Sequence, residues 1–198
     1  MKKGSYLQVI LKSDKTVFTL KDIVLLWQEE NIGAARIRLN YYVTNGHLYR
    51  LRRGIYIKDK NYSPLELATR IHTPSYVSFE TVLAREGVIF QFQTAITVAS
   101  YLTREITVDD QIYTFRKIKN TMLTNPAGID HSRNTSVASK ERALLDTLYS
   151  NTDYHFDNLR EIDWANVRSW VPIYSHKKLA KKVDQLYQAN AIGDLDDH

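Results

Sequence analysis

Apolar positions in the first sixty residues recur at helical spacing in three short blocks. Tyr6, Leu7, Ile10 and Leu11 share one face of a helix over residues 4–12. After a polar break at Lys12 to Lys15, Leu20, Ile23, Val24 and Trp27 repeat the pattern to about Glu29. Thr19 and Asp22 have the spacing of a capping box at the start of that second helix. Asn31-Ile32-Gly33 reads as a turn. A third helix is predicted over residues 34–44, with Ala35, Leu39, Tyr42 and Val43 on its buried side. Asn45-Gly46 ends it, because both residues tolerate left-handed backbone angles. The apolar runs then shorten. Residues 48–51 and 55–57 predict two strands around Arg52-Arg53-Gly54, a hairpin.

The polar stretch from Lys58 to Pro64 marks a boundary, so domains are expected at 1–60 and 61–198. Beyond it, helices are predicted over 64–71, over 79–85 with Ser78 as cap, and from Ser139 through 148. Strands are predicted over 94–100, 104–108 and 111–118, with Asp109-Asp110 as a tight turn. The last third carries helical patterns at 158–162, 163–170 and 175–190. In the final one, Leu179, Val183, Leu186 and Tyr187 form an apolar stripe beside Lys177, Lys178, Lys181 and Lys182, the pattern of an amphipathic helix packed on its stripe. The expected class is α+β: an N-terminal winged helix-turn-helix, then a larger mixed domain with a small antiparallel sheet and surrounding helices.

Charge sharpens this division. The chain of 198 residues has a net charge of +5. Residues 1–58 hold 11 Lys and Arg against four Asp and Glu, a net of +7; residues 59–198 hold 16 against 18, a net of −2. A basic small module on a near-neutral larger one is the electrostatic pattern of a nucleic-acid-binding head. A solvated basic surface has the same composition, so the arrangement of the cations must decide.

In a helix-turn-helix the second helix of the pair enters the major groove. Here that is residues 34–44. Opposite its buried stripe lie Ile37, Asn40, Tyr41 and Thr44, with Arg36 and Arg38 on the two edges. Arg50 and Arg52 follow on the hairpin, and Arg53 sits at its turn, where Gly54 permits the reversal. These nine residues are the expected contacts to double-stranded promoter DNA: a polar and aromatic reading face between cations placed for phosphates. One such head reads few base pairs, so two heads are expected to act together on an inverted repeat.

Other chemistries find little support. There is no cysteine, which removes disulfides and thiolate sites and fits a reducing cytoplasm. Six histidines are dispersed without metal-ligand spacing, and no Gly-rich phosphate loop or Gly-x-Ser-x-Gly elbow occurs. Glu141, Arg142 and Asp146 invite a catalytic reading, but Arg142 and Asp146, four apart, form an intrahelical pair more simply. Glu105, Asp109, Asp110 and Lys117 are the nearest approach to a metal nuclease, around a turn where acids are common for turn reasons. No enzyme activity, cofactor or metal is expected. The longest apolar runs are too short for a membrane span, and the first residues lack the apolar core of a signal peptide.

Three blocks carry a resemblance. "LYRLRRGIYI" (48–57), "PLELATRIHTPSYVSFETVLAREGVI" (64–89) and "VASKERALLDTLY" (137–149) together resemble the AbiEi family of antitoxins and transcriptional regulators from bacterial abortive-infection, type IV toxin–antitoxin systems. The resemblance covers residues 1 to about 150. It implies a winged helix-turn-helix that binds inverted repeats in its own promoter and represses the operon. It also implies a C-terminal domain that counters a nucleotidyltransferase-fold toxin without requiring a stable complex. A member lacking a toxin gene beside it would be a stand-alone winged-helix regulator whose larger domain senses a ligand or partner.

Overall fold

The computed structural model describes residues 5–196. The chain folds into two compact units. One runs through Thr73 and includes Ser132–Thr135; the other comprises Pro74–His131 and the chain from Ser136 onward.

The first unit has the order α1 (Ser5–Lys12), β1 (Val17–Thr19), α2 (Leu20–Trp27), α3 (Ile32–Thr44), β2 (Tyr49–Arg52), β3 (Ile55–Ile57) and α4 (Pro64–Ile71). Its sheet is antiparallel in the order β1-β3-β2. Helices α1, α2 and α3 each carry the apolar stripe seen in the sequence. Ile10, Ile23, Trp27, Ala35, Leu39 and Tyr42 form the core with Phe18, Leu48 and Tyr56. Leu11, expected inside, is half exposed at 48%. The capping box is present: the Thr19 hydroxyl accepts from the Asp22 amide, and the Asp22 carboxylate accepts from the Thr19 amide. Asn31 is not turn but N-cap, its side chain accepting from the Ala34 amide at 3.1 Å, so α3 starts two residues early.

The boundary lies later than the polar stretch at Lys58–Pro64 indicated. The Glu66 carboxylate on α4 accepts both the Thr16 amide (2.9 Å) and hydroxyl (2.6 Å), and Arg70 lies 3.5 Å from Asp22. These bonds hold α4 to the first unit.

The second unit contains β4 (Ser75–Val77), α5 (Glu80–Arg85), β5 (Ile96–Ser100), β6 (Arg104–Val108), β7 (Gln111–Lys117), α6 (Asn120–Leu123), β8 (Ile129–Asp130), β9 (Val137–Ala138), α7 (Lys140–Ser150), α8 (Trp164–Tyr174) and α9 (Lys177–Asp196). The small antiparallel sheet expected here is instead a mixed sheet of six strands, β6-β7-β5-β4-β9-β8. The pairs β5–β7 and β4–β9 are parallel. The difference has two sources: β7 returns beyond its hairpin with β6 to pair parallel with β5, and β4, β8 and β9 extend the sheet with strands of two or three residues that are too short to show a period of two.

Asp109 and Asp110 make the predicted tight turn between β6 and β7, both with positive φ. Ser78 does not cap α5; its hydroxyl donates instead to Asp146 at 2.7 Å, and the N-cap position belongs to Phe79. Residues 158–162 form turns rather than helix. The helix α7 is buried from Glu141 to Leu148 and lies against α5, α8 and α9. Leu179 and Val183 of the α9 stripe are buried, while the lysines Lys177, Lys178 and Lys181 are exposed. No described helix is long and apolar enough to cross a membrane.

Candidate nucleic-acid interface

The helix α3 is seated by Ala35, Leu39 and Tyr42, each buried, with the Tyr42 ring edge-on to Trp27 at 6.2 Å. A helix has two sides. With that stripe inward, the opposite side is left to solvent. Arg36, Ile37, Asn40, Tyr41 and Thr44 are all exposed, Ile37 at 75% and Tyr41 at 60%. An isoleucine this exposed in mid-helix gains nothing from burial in the free protein.

The β2–β3 hairpin faces this helix. Gly54 turns it with φ +81°, a value costly for any side chain-bearing residue, and the Gly54 carbonyl accepts from the Leu20 amide at 3.1 Å. The turn is thereby tied to the start of α2. A bulge lies between Arg50 and Arg52, so the ladder shifts there: Arg50 is opposite Tyr56 and Arg52 opposite Ile55.

Between helix and hairpin lies an open cleft of about 410 Å³, lined by Arg36, Ile37, Asn40, Arg50, Arg53, Gly54, Leu20 and Tyr56. The lining holds three arginines and no carboxylate. Among the described residues, none of the three arginines has an ion-pair partner. Such a cleft presents uncompensated positive charge on both walls, which attracts a polyanion and is weakened by salt. Leu20 and Tyr56 were not anticipated as lining residues. Their sequence signal is faint: Tyr56 alternates with Ile55 and Ile57, which places it on the other face of β3.

The nine expected contacts therefore divide. Arg36, Ile37, Asn40, Arg50 and Arg53 converge on the cleft, and Tyr41 and Thr44 are exposed on α3 outside it. Arg38 differs. It is half-buried, its Nη1 donates to Glu29 Oε2 at 3.0 Å, and its guanidinium lies 3.7 Å from the Tyr6 ring centroid. The Arg38 hydrogen bond, with one from the Asn31 amide, holds the Glu29 carboxyl below the usual range. Arg38 thus joins α3 to α1 and α2 rather than facing outward. Arg52 is also half-buried and outside the cleft, with Nη1 enclosed and no protein partner.

The second unit holds a different polar cluster. Arg142 donates to the carbonyls of Ala127 (3.0 Å) and Met122 (2.7 Å) and to the Tyr76 hydroxyl (3.0 Å). Its Nε is 3.5 Å from Asp146, the intrahelical pair expected from the spacing. Asp146 accepts from Tyr76, Ser78 and Tyr174 at 2.9, 2.7 and 2.6 Å. Burial pushes the Asp146 carboxyl up, against the pull of Arg142 and the hydroxyls, and burial beside Asp146 pushes both tyrosines well above their usual range. The cluster is closed to solvent, so its perturbed groups have no substrate to meet. It is a bolt joining β4, α7 and α8.

The nuclease candidates do not converge. Glu105 is opposite Thr114 within the β6–β7 ladder, Asp109 and Asp110 occupy its turn, and Lys117 ends β7 beyond the ladder's other end. No three His, Asp or Glu among the described residues group as metal ligands. A second cleft, about 540 Å³, is lined by Phe90, Phe92, Gln91, Gln93, Gln111 and Arg85 among others. Its one cation, Arg85, lies 3.6 Å from Glu86, so it lacks the charge to hold a polyanion.

Compared with the models of known protein families and with curated proteins, the chain matches none.

Proposed function

We propose that the first unit is a winged helix-turn-helix head that binds duplex DNA, and that the protein is an antitoxin that represses its own operon through that head. The observation that carries the DNA reading is the cleft between α3 and the hairpin, with Arg36, Arg50 and Arg53 unpaired on its walls. The order helix–strand–helix–helix–strand–strand and the exposed side of α3 support it. The antitoxin half rests on the three sequence blocks of the AbiEi resemblance. In this reading two heads occupy an inverted repeat, and the second unit opposes a nucleotidyltransferase-fold toxin without a stable complex.

The test is a titration of duplex DNA at several salt concentrations. Log affinity falls linearly with log salt, by about 0.9 for each phosphate neutralised. Binding that ignores salt removes the reading. For the antitoxin half, expression of the neighbouring open reading frame arrests growth, and co-expression of this protein restores it.

The 540 Å³ cleft of the second unit favours a second reading, since its size is that of a small-ligand site. In that case the head is a stand-alone regulator. A small molecule that raises the melting temperature and shifts operator affinity, with no toxin gene adjacent, selects it.

A further inference from the structure

The exposed side of α3 carries no lysine or arginine on its central stripe of Ile37, Asn40, Tyr41 and Thr44. It carries no acid either. Arginine and lysine are the side chains that read guanine bidentately, and glutamate or aspartate accept from cytosine. What remains on the stripe matches the other base pair. A branched alkyl group contacts the 5-methyl of thymine, and an asparagine amide pairs with N6 and N7 of adenine.

Two features suit Ile37 and Asn40 to these tasks. Ile37 is 75% exposed, so its alkyl group is available to cover a methyl and lose water in doing so. The Asn40 amide has no hydrogen-bond partner among the described residues, so both its donor and its acceptor are free to meet a base edge. The two are three residues apart, about 4.5 Å along the helix axis. That is close to the 3.4 Å step between base pairs, so they fall on neighbouring pairs. Both also line the cleft that holds Arg36, Arg50 and Arg53. The cations hold the backbone there, and the neutral side chains are left for the bases.

We infer that α3 selects A·T pairs in the major groove, with Ile37 against a thymine 5-methyl and Asn40 against an adenine edge. This rests on the DNA reading above. The test selects binding sites from random duplexes with the full-length protein, then measures affinity for modified copies of the selected site. Replacing the critical thymine by deoxyuridine keeps the adenine and removes the methyl; affinity falls about fourfold, the worth of one buried methyl. Ile37→Ala abolishes that difference between thymine and uracil and leaves the melting temperature unchanged. Replacing the adjacent A·T by 5-methylcytosine·G keeps a methyl and removes the adenine. Affinity then falls between about fivefold and a hundredfold in the wild type, and much less in Asn40→Ala. Selected half-sites of G·C pairs, equal affinity for thymine and uracil, or a uracil penalty that survives Ile37→Ala overturn the inference. If salt-dependent DNA binding persists in those cases, the DNA reading stands and only the readout is wrong. No salt-dependent binding to any duplex removes both.

Discussion

Arg38 and Glu29 are joined at 3.0 Å, between the middle of α3 and the segment that follows α2. The Arg38 guanidinium is also 3.7 Å from the Tyr6 ring centroid and 5.4 Å from that of Trp27. Three helices thus share one cation. A contact of this kind with a ring adds on the order of 0.5–1 kcal/mol. Arg38→Ala is therefore expected to lower the denaturant midpoint while leaving the salt slope of DNA binding unchanged. Arg53→Ala is expected to do the reverse: no change in midpoint, and a slope shallower by about 0.9. Denaturant melts and anisotropy titrations on the two variants check the contrast.

Asp22 sets an acid limit on the first unit. Burial opposes its charge, but Lys15 at 2.6 Å, the Thr19 hydroxyl and amide, and Arg70 together hold the carboxyl below its usual range. A carboxyl with a depressed folded pKa binds fewer protons folded than unfolded. Its contribution is present above the ordinary carboxylate pKa, near 4, and is lost as pH falls from there toward the folded value. Stability of the wild type accordingly drops below about pH 4 more steeply than that of Asp22→Asn. At pH 7 the variant is the less stable of the two. Urea melts between pH 3 and 7 read both effects.

Removing one member of the closed cluster should be costly. Arg142→Ala leaves Asp146 buried without its cation and frees the carbonyls of Ala127 and Met122. Breaking a buried pair from one side costs about 3–5 kcal/mol. Arg142→Met with Asp146→Asn should cost less than Arg142→Ala alone. Asn keeps one oxygen that can accept from two of the three hydroxyls of Ser78, Tyr76 and Tyr174, its NH2 can donate to the oxygen of the third, and no charge is stranded. A double-mutant cycle by chemical denaturation decides. Additive losses would mean the two residues do not act as a pair.

Much of the first unit was legible because its signals are local. The Thr19–Asp22 box, the α3 stripe and the Gly54 turn each sit within a few residues. What escaped was long-range. The strand β1 is three residues, defined by its register of Val17 with Ile57, forty positions away. The spacing of Arg142 and Asp146 was visible, but not that Ser78 and Tyr76, some seventy residues earlier, complete the cluster. Ser78 had good cap chemistry and spends its hydroxyl on Asp146 instead. Period alone also set Arg36 and Arg38 as equals on the edges of α3. Only the packing of α1 and α2 shows that Arg38 has Glu29 and Tyr6 beneath it while Arg36 faces the cleft.

The final prediction concerns the division of labour between the units. In the antitoxin hypothesis, operator affinity belongs to the head, whose residues 1–58 carry a net charge of +7, and toxin antagonism to the second unit, with residues 59–198 together near neutral at −2. Arg36→Ala with Arg53→Ala removes two exposed cations that hold nothing in the fold, so the protein should remain stable. Repression of the operon promoter should be lost, while protection from an independently expressed toxin persists. The converse variant is Leu144→Asp. Leu144 is fully buried on α7, and an unpaired carboxylate there is strongly unfavourable, so the second unit should collapse and protection should disappear. The measurement is growth of cells carrying the toxin on one plasmid and each variant on another, with repression read from a promoter fusion and protein level from immunoblots. Loss of protection in the arginine double variant at normal protein level would show that the same cations serve both tasks. The two functions could not then be assigned to separate units.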